Sequence, residues 1–108
     1  MMDVEQLLFD LHVFSGSGYG YMLTRDAVNL LLVCGEDWEP SMKELQEEVA
    51  KYRDCTYDTF QHDVKKIGVI AWTRNKPLLE QYAYRDLEKA PTPKILIDIL
   101  YTYILRNM

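Results

Sequence analysis

The stretch from Thr56 to Thr73, TYDTFQHDVKKIGVIAWT, constrains more than any other what this chain can fold into. At about 100° per residue, Phe60, Val64, Ile67 and Ala71 fall on one stripe, while Asp58, His62, Lys65 and Lys66 point away from it. That is the pattern of an amphipathic helix buried on one side. Thr56 offers a hydroxyl to the free N–H groups of the first turn, and Asp58 places a carboxylate near the positive end of the helix dipole. The run Asn75-Lys76-Pro77 predicts the end. Immediately upstream, Ser41 to Tyr52 is a second amphipathic helix with Met42, Leu45, Val49 and Tyr52 on one face, and only Arg53, Asp54 and Cys55 separate the two. Two helices joined so tightly, with the small Ala50 near the crossing, have the layout of a helix-turn-helix, whose DNA-binding form lays its second helix in the major groove. The same spacing also serves an ordinary αα-corner.

The rest of the chain reads as helix too. Val4 to Phe14 places Leu7, Leu8, Leu11 and Phe14 at helical spacing, and the glycine-rich Ser15 to Gly20 then breaks it. No strand precedes those glycines and no Lys-Ser/Thr pair follows them, so they read as a connector and not as a phosphate loop. Tyr21 to Cys34 is apolar on most of its surface, belongs in the core, and is closed by Gly35. Trp38 lies in the acidic GEDWEP loop that follows. Pro77 to Ala83 predicts a short helix, and Thr92-Pro93 opens a last one with a capping hydroxyl and a proline whose missing N–H costs nothing there. The expectation is a single all-α domain over residues 1–108, about six helices around one core.

Bulk properties exclude several classes. No apolar run is long enough to span a bilayer, and MMDVEQLL carries acids where a secretory signal carries Lys or Arg, so a soluble, cytoplasmic protein is expected. Cys34 and Cys55 stand apart from each other and from any Cys/His cluster, which predicts neither a disulfide nor a metal site. His62 with Asp58 one turn away is the pattern of a surface ion pair, and no Ser or Cys has a recognisable base; no catalytic residue and no cofactor is expected. The net charge of −5 opposes nonspecific nucleic-acid binding by the whole molecule. It is uneven, however: residues 1–55 hold four Lys/Arg against eleven Asp/Glu, and residues 74–108 hold six against four. A local basic footprint is available around Lys65, Lys66, Arg74 and Lys76.

Four motifs in order, GYGYMLTRDAV, VAKYRDCT, AWTRN and KAPTPKILIDIL, resemble one family across roughly residues 4–106. It is the C-terminal DNA-binding effector domain of the master sporulation response regulator, the stage-zero sporulation initiation factor of endospore-forming bacteria. The resemblance implies an all-helical domain whose helix-turn-helix reads a promoter site in double-stranded DNA, often as tandem dimers, and which regulates transcription through RNA polymerase and its sigma factors. It places the groove-reading positions on Thr59, Gln61, His62, Lys65 and Lys66. The chemistry of these side chains agrees in part: Lys65 and Lys66 donate to guanine or phosphate, Gln61 suits adenine, and Thr56 or Arg74 suits the backbone.

The departures from the family pattern bear on specificity. Thr59 and His62 stand where the family usually has Arg, Asp58 replaces a small neutral residue, and Val69 replaces an outward Glu. Each lost Arg removes a guanine fork that discriminates by about 1–3 kcal/mol, and Asp58 repels phosphate if it faces DNA. The receiver domain that precedes this one in the family is also missing from the chain, which begins at Met1 just before the first helix. The alternative expectation is therefore a divergent protein-interaction module that kept the fold and lost DNA binding.

Overall fold

A computed structural model describes residues 3–34 and 41–108; the expected cap at Gly35 and the loop tryptophan Trp38 lie outside the described residues. The fold is all-helical, in chain order α1 (Val4–Asp10), α2 (Tyr19–Cys34), α3 (Met42–Tyr52), α4 (Tyr57–Ala83) and α5 (Pro93–Arg106). Four helices begin on a side chain that accepts a first-turn N–H: Asp3 from Gln6, Ser41 from Glu44, Thr56 from Thr59 and Thr92 from Ile95. Pro93 takes the first helical position of α5, as expected.

There are five helices among the described residues where six were expected, because Pro77 to Ala83 continues α4. The break read at Asn75-Lys76-Pro77 is real, since Asn75 leaves helical geometry (φ −150°, ψ 59°), but it is a kink and not an end. Pro77 follows two residues later, in the first turn of the resumed helix, where it has no intrahelical bond to remove. A second correction concerns the first helix, which was expected to reach Phe14 and stops at Asp10.

The reason for that stop recurs twice more. α1, α3 and α4 each end with a left-handed residue, His12 (φ 65°), Asp54 (φ 59°) and Tyr84 (φ 58°). At α1, His12 N–H donates to Phe9 O at 2.9 Å and Val13 N–H to Leu8 O at 2.8 Å. At α3, Asp54 N–H donates to Lys51 O and Cys55 N–H to Ala50 O; at α4, Tyr84 N–H donates to Gln81 O and Arg85 N–H to Glu80 O. This is the paired-bond Schellman ending, which glycine normally closes. Here it is built without glycine, so the sequence carried no punctuation at these points. His12 is consequently exposed at a helix end.

α4 is the central element, packed chiefly on α2 and α5 and also on α3. Its stripe of Phe60, Val64, Ile67 and Ala71 is fully buried with Leu23, Leu45, Leu96 and Leu100. Gly20 lets α2 approach α4: a Cβ there would lie well inside van der Waals contact distance of the Asp63 carbonyl oxygen. Gly68 does the same for the chain before α5, where a Cβ would lie 2.7 Å from the Pro91 carbonyl oxygen. Tyr19 donates its hydroxyl to Arg53 O at 2.7 Å, and the Arg53 guanidinium pairs with Asp26, so the α3–α4 turn is tied back to α2. Tyr52, placed by periodicity on the buried face of α3, is instead 78% exposed, with the Arg53 guanidinium 5.3 Å from its ring centroid.

Candidate nucleic-acid interface

The turn Arg53–Thr56 delivers the chain into α4, and Thr56 fixes the start of that helix. Its hydroxyl accepts from Thr59 N–H at 3.0 Å and donates to Thr59 Oγ1 at 3.0 Å. The Thr56 hydroxyl is thus the cap, while the Thr59 hydroxyl accepts one bond and keeps its own hydrogen. One turn further, the Gln61 side-chain amide donates to Oε1 of Gln46, a glutamine only 2% exposed on α3. This pair satisfies a polar group that would otherwise cost about 1–3 kcal/mol in the interior. Gln61 therefore holds α3 to α4 with one of its two amide hydrogens.

The next residues on the outer side, His62, Lys65 and Lys66, are exposed and line one open depression of about 500 Å³ with Val69 and Ile70. Their register, i, i+3 and i+4, puts them on one face. His62 Nδ1 lies 3.4 Å from an Asp63 carboxylate oxygen, a long and exposed contact. Neither lysine makes an ion pair or a side-chain hydrogen bond among the described residues. Two amines and an imidazole are groups able to donate to an anionic oxygen or to a hydrogen-bond acceptor.

Arg74 is elsewhere. Twelve residues after His62, it sits about 18 Å along the helix at 1.5 Å per residue. Its guanidinium donates to the His12 carbonyl at 2.9 Å, and Asn75 Nδ2 donates to the Asp10 carbonyl at 3.0 Å. Together they satisfy orphan carbonyls at the end of α1 and clamp it to the kink of α4. The seven residues expected at the site thus divide. His62, Lys65 and Lys66 come together on an open face, Thr56 and Thr59 lie at its N-terminal edge, and Gln61 and Arg74 are drawn into internal contacts. Gln46 went unnoticed in the sequence, although its place three residues before Val49 puts it on the inward side of α3.

Carboxylates mark the α3 side of the turn. Asp58 is exposed in the first turn of α4, and Glu47, Glu48 and Asp54 line the groove between α3 and α4 with only Lys51 as a cation. Lys43 is held 5.6 Å above the Tyr57 ring. Cys55 lies in the same groove, its thiol pushed up by burial and then by Asp63 and Asp54, so it is a poor nucleophile. Among the described residues no group of His, Cys, Asp and Glu could hold a metal ion, and no helix is long and apolar enough to cross a membrane. No protein-family model matches the chain, and no curated protein or solved structure matches it either.

Proposed function

We propose that this chain is a sequence-specific DNA-binding transcriptional regulator in which α3 and the first part of α4 act as a helix-turn-helix, with α4 in the major groove. The observation that carries the reading is the exposed trio His62, Lys65 and Lys66, its two lysines unpaired among the described residues, on the outer face of the second of two closely joined helices. The motif resemblance to the sporulation effector domain supports it, and extends it to a homodimer on DNA that contacts RNA polymerase or a sigma factor. Lys65 and Lys66 hold phosphate or guanine, His62 and Thr59 read bases, and Thr56 sets the first turn. Arg74 acts through stability, because its guanidinium is engaged with α1.

The overall charge sets the regime. A net charge of −5 with two unpaired lysines on α4 leaves little net attraction for DNA at large, so affinity rests on a few contacts at a matching site. A salt titration of duplex binding, followed by selection from a random library, tests this. We expect a short enriched motif, and for Lys65→Ala with Lys66→Ala a salt slope smaller by about 2, at about 0.9 per phosphate contact. An unchanged slope overturns the assignment. A specific observation favours a second reading, a protein-interaction module: Gln61 and Arg74 are spent on internal contacts while the acidic face of α3 is open. Absence of DNA binding at low salt would select it.

A further inference from the structure

A surface distant in chemistry from the basic face of α4 lies on α1. No Lys or Arg precedes Arg25 in the chain, whereas Asp3, Glu5 and Asp10 lie on α1 or at its cap. Beside these acids Phe9 is 60% and Phe14 46% exposed. Their rings meet edge to face with centroids 5.6 Å apart, and the His12 ring lies along Phe14 at 6.4 Å. The pair opens onto a groove of about 550 Å³ whose walls include Asp3, Glu5, Val13 and Tyr21. The Tyr21 hydroxyl reports the field there: its pKa is raised by burial first and then by Glu5, with Arg25 opposing and Asp3 adding.

Two phenylalanines in contact and left in water form a concentrated apolar patch, the kind that marks an interaction surface on a small protein. The left-handed turn at His12 produces it, since ending α1 at Asp10 folds Phe14 back against Phe9. Aromatic faces attract ammonium and guanidinium groups, and carboxylates accept charge-assisted hydrogen bonds from them. Of the carboxylates, Asp3 already accepts from Gln6 N–H and Asp10 from the Gln6 amide, while Glu5 makes no side-chain hydrogen bond among the described residues. Two copies meeting through this same face would set carboxylates against carboxylates. A cationic partner has no such penalty.

We propose that the α1 groove docks a segment of another protein that presents Lys or Arg beside apolar side chains, its aliphatic part on Phe9 and Phe14 and its charge on Glu5 and Asp3. None of these residues belongs to α4, so the docking does not depend on the DNA-binding reading. The probe is a fluorescein-labelled amphipathic peptide of Lys, Leu and Ala, with the same peptide carrying Glu for Lys as control, followed by fluorescence polarisation and by amide chemical shifts. Saturable binding of the Lys peptide alone is expected, with shifts centred on Glu5, Phe9 and Phe14 and affinity about tenfold lower for Phe9→Ser, an anchor truncation. Glu5→Gln should lower it by a few-fold, and Phe14→Ser repeats the test should Phe9→Ser disturb the fold. Equal affinity in both serine variants, shifts centred on the acids of α3, or no binding would overturn the proposal. A wild-type dimer that Phe9→Ser dissolves would also overturn it, by assigning the groove to a second copy.

Discussion

Along α4, Phe60, Val64, Ile67 and Ala71 are each wholly buried, while Asp58, His62, Lys65 and Lys66, part of a turn away, lie in water. Every inner position answers to a neighbour: the glycine notch of α2, the apolar side chains of α3 and α5, and the Pro91 carbonyl packed over Gly68. The outer positions have no neighbour to satisfy. Shape therefore dictates the inner face, while packing places no demand on the outer one.

The contrast can be broken from the inside. Phe60→Ala removes the largest fully buried side chain and should cost about 3–5 kcal/mol, while Val69→Ala on the outer face should stay within about 0.5 kcal/mol; urea unfolding of both variants measures the difference. Gly20→Ala adds a single methyl, yet it meets backbone and not a flexible side chain, so about 1–3 kcal/mol is expected, with α2 displaced from α4. If Gly20→Ala were neutral, the close approach of these helices would be wrong. A smaller change of opposite sign tests the helix endings. Asp54→Gly relieves a left-handed residue (φ 59°) and should raise stability by about 0.5–1 kcal/mol, read as a higher urea midpoint at unchanged slope. Smallest of all, Lys65→Ala with Lys66→Ala should leave the unfolding midpoint almost unmoved. On the proposed function, the salt titration of duplex binding is the measurement that should register them.

Much of the fold was legible because it rests on periodicity. The buried stripe of α4, the caps at Thr56 and Thr92, and Pro93 at the start of α5 all follow from local spacing and local hydrogen bonding. The helix ends were less legible, because His12, Asp54 and Tyr84 take a conformation their side chains disfavour by roughly 1–2 kcal/mol. Burial of Val13 and Leu8, and at α4 the stacking of Arg106 on Tyr84 at 4.6 Å, supply what the residue itself does not. The candidate site was legible as a list of outward residues and not as a set of free ones. Gln61 and Arg74 look like DNA ligands in sequence because amides and guanidiniums serve equally well inside a protein, as here against Gln46 and His12.

By itself the sequence determined that this chain is helical, where its amphipathic faces lie and which residues of α4 face outward, since each depends on neighbours within one or two turns. The tertiary structure alone decided that α4 bends at Asn75 and continues, that Gly20 and Gly68 are points of closest approach, and that Arg74 caps α1. Those outcomes join residues as many as 65 positions apart. No local period encodes such a contact; it exists only once burial of the common core has brought the helices together.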